Sequence, residues 1–243
     1  MTIERDPDRA EMFSLIAPRY DRINRVISGG LDLSWRRAIL RRLPSGWAPR
    51  EFLDVCCGTG TLLMMLCRRY PAAAAVGLDF APGMLREAGE RLARMRGTPP
   101  TLVLGDQNRL PFENDRFDLV TNAFGLRNSR DLDRSVAEMY RVLAPGGMMA
   151  VLELTRPRKN LRGRLFSLYF ARLAPILARM LGGDRYAYAY LPDSVAGFLS
   201  REEMGQRISR LTHSPVNQTP LFGSVVSLFL IEKACDLPGS NPG

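Results

Sequence analysis

Histidine is almost missing from this sequence: the chain holds one, His213. A histidine-rich metal site is thereby excluded, and no metal is expected. Lysine is scarce as well, with Lys159 and Lys233 the only two, so the net charge of +9 rests on arginine. The cysteines Cys56, Cys57, Cys67 and Cys235 show neither Cys-x-x-Cys spacing nor a disulfide rhythm. Reduced thiols are the expectation. No apolar run is long enough to span a bilayer. Met1 to Met12 has no apolar segment of the signal-peptide kind. A cytoplasmic chain is expected, with any membrane contact peripheral and on the inner face. The recognised nucleic-acid motifs are missing too, so basicity alone does not indicate a nucleic-acid partner.

What is present begins with Phe52-Leu53-Asp54-Val55-Cys56-Cys57-Gly58-Thr59-Gly60. An apolar run ends in a glycine turn, and the helix-like run Leu62 to Cys67 follows. Strand, tight turn and helix open a nucleotide-binding α/β unit. From there apolar strands alternate with amphipathic helices. Strands are expected at 52–56, 75–79, 102–104, 117–121 and 148–154, and helices at 82–96 and 132–142. Pro145-Gly146-Gly147 reads as a turn. This alternation predicts a parallel, doubly wound α/β sheet. Residues 1–50 read as a helical cap punctuated by Pro18 and Gly29-Gly30. Residues 156–195 break the rhythm with interleaved arginines and aromatics, which predicts amphipathic helices forming a lid, kinked at Pro175. Ser200 and Glu203 have capping-box spacing. Val225 to Ile231 is the last strand. The whole reads as one domain over 1–235 with a disordered tail at 236–243.

The dinucleotide fingerprint needs a third glycine, which this turn lacks. Three acids stand instead at the carboxyl ends of successive strands: Asp54, Asp79 and Asp106. Each alone could be a helix cap. Together they line one crevice and suit a ligand with a cationic amine, a ribose and an exocyclic adenine amine. S-adenosyl-L-methionine (SAM) is such a ligand. The expected cofactor contacts are Asp54, Cys56, Gly58, Thr59, Gly60, Asp79, Phe80, Met84, Asp106, Gln107 and Asn122.

Four further stretches carry a family resemblance: Tyr20-Asp21-Arg22-Ile23-Asn24 with Ser28 and Trp35; Phe124-Gly125-Leu126-Arg127-Asn128; Arg141 to Gly147 running on to Glu153; and Tyr188 to Pro192 with Ser194. The chain resembles the ubiquinone/menaquinone biosynthesis C-methyltransferases, a class I SAM-dependent methyltransferase family, over roughly residues 11–233. The resemblance implies a Rossmann-like seven-stranded sheet, mostly parallel with its last strand antiparallel, a helical N-terminal cap and a helical insertion before the final strands. It implies methylation of a ring carbon of a prenylated quinol, either demethylmenaquinol or a ubiquinone precursor. Arg127, Asn128 and Tyr20 would face the acceptor. Arg127 would stabilise the phenolate or hold the water that takes the proton, and Tyr20 would orient the acceptor or relay the proton. The competing reading of Arg127 is a surface ion pair with Asp131 or Asp133. Asp21 also reads as a helix cap, and His213 as a loop residue without function.

The chain departs from the family pattern in several places. Methionine is usual at Ile23, histidine at Asp32, lysine at Ala144 and serine at Thr155, and the closing His-Arg pair is missing. Two other readings therefore stand beside the first: a methyltransferase for another small aromatic acceptor, and a SAM-binding protein without catalysis that serves a quinone-biosynthesis complex. The basic insertion could rest on an anionic membrane surface, and a homodimer is left open.

Overall fold

The computed structural model describes residues 7–158, 194–222 and 225–235, with scattered positions between 163 and 181. The lid expected over 156–195 thus falls largely outside the described residues. So do Pro175, the Tyr188–Pro192 signature and the tail at 236–243.

Two helices come first, α1 (Pro7–Ile27) and α2 (Leu31–Arg42). The alternating part follows: β1 (Glu51–Val55), α3 (Thr61–Arg69), β2 (Ala74–Asp79), α4 (Pro82–Leu92), β3 (Thr101–Leu104), β4 (Phe117–Ala123), a 3-10 turn (Leu126–Asn128), α5 (Leu132–Val142) and β5 (Leu143–Leu154). The chain closes with α6 (Arg201–Thr212), β6 (Val216–Phe222) and β7 (Val226–Glu232). The seven strands form one sheet in the order β3-β2-β1-β4-β5-β7-β6. All neighbours are parallel except β7, which runs antiparallel to β5 and β6. Strand order reverses between β1 and β4, and α/β sheets bind ligands in the crevice that this reversal opens.

Both faces of the sheet are buried. Phe52, Leu119, Ala150, Leu152, Leu228 and Leu230 face one core with α1 to α4. Leu53, Val55, Val120, Val151, Phe229 and Ile231 face another with α5 and α6. The two-residue period of a strand sorts them, and it places Asp54 on the Phe52 face, toward the N-terminal helices. Ser200 caps α6 as its spacing predicts: its Oγ accepts from Glu203 N, and Glu203 Oε2 accepts from Ser200 N.

Several local expectations are corrected. Pro18 does not punctuate; α1 runs through it. A proline inside a helix removes one backbone donor, here the one that would serve Ser14 O. That turn is packed against Gly83 at the start of α4, where a Cβ would come within 2.6 Å of Ser14 Cα and O, and Ser14 Oγ accepts from Gly83 N at 3.1 Å. Tertiary contact offsets the local cost. Pro145-Gly146-Gly147 is a bulged beginning of β5, not a free turn. Gly146 N donates to Lys233 O and Lys233 N to Gly147 O, so the sheet captures the segment. Cys56 lies past β1, and α4 ends at Leu92, short of Arg96.

Candidate active site

The glycine turn after β1 is built by backbone geometry. Cys56, Gly58 and Gly60 all take positive φ, at 57°, 54° and 77°. A Cβ on Gly58 would meet open space, whereas one on Gly60 would lie 3.3 Å from Ala88 Cβ. Gly58 therefore leaves room for a ligand and Gly60 lets α4 close in. Across the crevice, Phe124 after β4 also has positive φ, 66°. Two non-glycine residues in the left-handed region at the ends of adjacent strands mark a functional site in strained backbone.

Asp79 fixes the turn from β2. Its carboxylate accepts from Gly58 N at 2.8 Å and from Ala81 N at 2.9 Å. Burial still raises its pKa to about 6 against those bonds. Asp54 accepts from Thr121 Oγ1 at 2.7 Å. Its other oxygen is buried without a partner, and burial pushes its pKa up to about 7. Gln107 donates to Gly125 O, and its Oε1 is likewise buried without a partner. Buried acceptors are normally satisfied. These two orphans fit a ligand that carries donors, as the amine groups of SAM are. Asp106 accepts from Asn108 N, which turns the chain after β3.

Three small hollows, each about 30 to 40 Å³, run along this crevice. Cys56 lines all three; Asp106 and Gln107 line the first, Asp79, Phe80, Met84 and Gln107 the second, and Asp54, Gly58 and Thr59 the third. Burial raises the thiols of Cys56 and Cys57 well above their ordinary value, and Asp79 and Asp54 add to it. This environment favours neutral thiols over nucleophilic thiolates. Asn122 does not reach a hollow. Its amide bridges Val55 O and Gly125 N, so it braces β1 against the loop after β4.

Beside the hollows lies a cavity of about 630 Å³. Ile27, Leu31, Trp35, Phe124, Leu154, Phe166 and Phe222 give it an apolar wall; Tyr20, Asp32, Arg36 and Arg127 add polar groups. Tyr20 borders the cavity and two of the hollows, Phe124 borders the cavity and one, and Arg36 borders the cavity and the Asp54 hollow. These three side chains form the partition. Burial raises the Tyr20 phenol, while Arg36 and Arg127 pull it down.

Arg127 reaches the cavity but does not pair with Asp131 or Asp133. Asp131 caps α5 through Arg134 N, and Asp133 pairs with Arg207. Arg127 instead binds Glu153 of β5, with Nη1 2.5 Å from Oε1 and its backbone N 2.9 Å from Oε2. Its Nε donates to Ser194 Oγ. Asn128 lines two of the small hollows and not the large cavity, and its carbonyl accepts from Arg9.

Two site residues escape sequence reasoning. Arg36 looks like one more arginine of a basic helix, and only the fold buries it over the Phe124 ring, 5.0 Å from the centroid. Asp21 is not a helix cap; it sits within α1. It accepts from Thr59 Oγ1 at 2.8 Å and Thr61 Oγ1 at 3.3 Å, and it pairs with Arg91 of α4. It fastens the helical cap to the glycine turn. His213 ends α6 in a left-handed conformation, φ 50°.

Residues 1–232 match the model of the ubiE/COQ5 methyltransferase family. The chain is 46% identical over 193 residues to a demethylmenaquinone methyltransferase from Thermus thermophilus, covering 79% of this chain and 87% of that protein. It is 41% identical over 198 residues to the ubiquinone/menaquinone biosynthesis C-methyltransferase UbiE from Geobacter sulfurreducens, covering 79% and 75%. Its fold is similar to that of a SAM-dependent methyltransferase from Thermotoga maritima, with a TM-score of 0.64, 17% identity, and 92% and 98% coverage.

Proposed function

Since the chain belongs to the ubiE/COQ5 methyltransferase family, and so is a methyltransferase, we propose that it methylates a ring carbon of a prenylated quinol, demethylmenaquinol before a ubiquinone precursor. The observation that carries this reading is the 630 Å³ apolar cavity, which shares its Tyr20–Phe124–Arg36 wall with the acid-lined hollows. It falls within the range of small-molecule sites and has room for a bicyclic head with the start of an apolar chain.

SAM, bound along the crevice, supplies an electrophilic methyl group on a sulfonium. Asp54 and Gln107 would take its donors, Asp79 its ribose, and Gly58 the close approach. Asp106, Phe80 and Met84 would enclose the adenine end. Across the partition, Phe124 and Tyr20 hold the acceptor ring in line and exclude water, which removes much of the entropic barrier. Tyr20 keeps its proton at neutral pH, because burial raises its pKa. It therefore orients the acceptor by donating a hydrogen bond. Arg127, held between Glu153 and Ser194, presents a fixed donor surface to the acceptor oxygen. An arginine stays charged and is a poor base, so the hydroxyl proton passes to water. Asn128, on the cofactor side, joins the acceptor loop to the hollows.

The apolar chain would leave past Leu31 and Phe222, both partly exposed at the cavity rim. Leu173, Ile176 and Met180 of the insertion are exposed apolar residues as well. Among the described residues no helix is long and apolar enough to cross a membrane. A peripheral contact with an anionic membrane surface is the proposed route to the substrate. Purified protein supplied with labelled SAM and a short-chain demethylmenaquinol should transfer label to the quinol; SAM binding without turnover on any quinol would refute the reading.

A further inference from the structure

Arg36 has no chemical role in the reading above, where it is only part of the partition. It projects from α2 into the wall that separates the cavity from the Asp54 hollow. The residue is only 9% exposed. One face of the guanidinium lies over Phe124. Its ionic partner is Asp32, one turn back on the same helix, at 3.5 Å, and its Nη1 donates to Asp32 O at 3.3 Å. Asp32 is shared with Ser28, whose Oγ donates to it. Among the described residues, Nη2 and Nε of Arg36 have no hydrogen-bond partner. Arg127 differs: Glu153 holds it at 2.5 Å from below and Ser194 from the side.

We propose that Arg36 is a catalytic residue, binding the acceptor's hydroxyl oxygen with its remaining N–H groups and holding that oxygen as an aryl oxide. The inference rests on the quinol reading. The step is a proton equilibrium: the O–H bond breaks, its electron pair stays on oxygen, and the proton leaves to water. Nothing is oxidised or reduced. A phenolic hydroxyl ordinarily ionises near pH 10, and an opposite charge within a few ångströms lowers that by about 1 to 3 units. At neutral pH this raises the reactive, electron-rich ring form roughly ten- to thousandfold. Tyr20 is a phenol already in this cavity: burial raises its pKa, and Arg36 is the strongest of the charges that work against that rise.

The other charged and titratable groups facing the position are Tyr20 from α1, Asp32 on the same helix, Asp54 from β1, the Cys56 and Cys57 thiols of the glycine turn, which burial keeps neutral, the Arg127–Glu153 pair, and Tyr169, whose hydroxyl donates to Ile27 O. Arg127 is held by its carboxylate at 2.5 Å, against 3.5 Å between Arg36 and Asp32, and Asp54 opposes ionisation, which leaves Arg36 as the larger source of the shift.

The test uses 1-naphthol, whose absorbance reports its ionisation, bound to the full-length protein and titrated with pH. Wild type should lower the probe's pKa by about 1 to 3 units. Arg36→Met should lose that shift, burial leaving the probe at or above its free value, and Arg36→Lys should keep part of the shift. The pH profile of kcat on the quinol should move to higher pH in Arg36→Met by the same amount. Naphthol bound with its free pKa in wild type would overturn the proposal while leaving the quinol reading intact. An equal shift in wild type and Arg36→Met would do the same. Failure of naphthol to enter the cavity would remove the proposal together with the acceptor assignment, which the turnover assay tests separately.

Discussion

Asp54 and Asp79 keep their protons at a pH where ordinary aspartates have lost theirs, because both are buried. The sign of the consequence follows from linkage. Their folded pKa values, about 7 and about 6, lie above the unfolded value near 4. Between pH 4 and 7 the folded state therefore binds more protons than the unfolded one, and stability falls as pH rises. Asp54→Asn should abolish part of this slope: relative to wild type, the variant should gain roughly 3 kcal/mol between pH 4.5 and 8, read from denaturant melts without SAM. Parallel curves would refute the assignment. The same residue should lose SAM affinity, since the amide cannot supply a negative charge to a cationic amine. Asp79→Ala would strip the acceptor from Gly58 N and Ala81 N at once. SAM binding, measured by calorimetry, should weaken at least tenfold, about 1.4 kcal/mol; unchanged affinity would end the assigned role.

At the scale of elements, the helical cap and the sheet are joined by two devices. Asp21 of α1 grips Thr59, Thr61 and Arg91, and Gly83 of α4 lets α1 lie directly against it. Gly83→Ala forces a Cβ to within 2.6 Å of backbone atoms, which cannot yield as a side-chain tip can. A loss of about 1 to 3 kcal/mol is expected, with faster proteolysis within α1 than in wild type; an unchanged melt would show that α1 shifts freely. These devices explain what could be read in advance. The strand–turn–helix at 52–67 was legible because its signals are local: apolar run, glycines, apolar helix. The three acids were legible because each ends a strand of the same parallel series. Pro18 and Pro145–Gly147 misled because a local breaker signal was overridden by contacts with Gly83 and Lys233. Asp21 and Glu153 fall in stretches that carry the family resemblance, yet nothing local marks what they bind. Their partners lie 38 and 26 residues away, and nothing in the sequence pairs them. Arg36 is hidden in a helix where arginine is commonplace.

At the scale of the molecule, the sheet reversal between β1 and β4 sets two chambers side by side. One is small, acidic and built of backbone and buried carboxylates. The other is large, apolar and roofed by α1, α2 and residues of the insertion such as Phe166 and Tyr169. The first is suited to a cationic methyl donor and the second to an apolar acceptor, and among the described residues only Tyr20, Phe124 and Arg36 line both. The exposed apolar rim predicts binding to vesicles containing anionic lipid, weakened by salt as the arginines are screened; flotation equal on zwitterionic and anionic vesicles would contradict a charge contribution. In the proposed reaction the methyl passes across the partition to a ring carbon of the quinol. It is tested most directly by supplying SAM with a 13C-labelled methyl group and a short-chain demethylmenaquinol, and locating the label in the product by NMR. The expected product carries a methyl bonded to the quinol ring carbon. A methyl on oxygen, or label that never leaves SAM in the presence of the quinol, would contradict it.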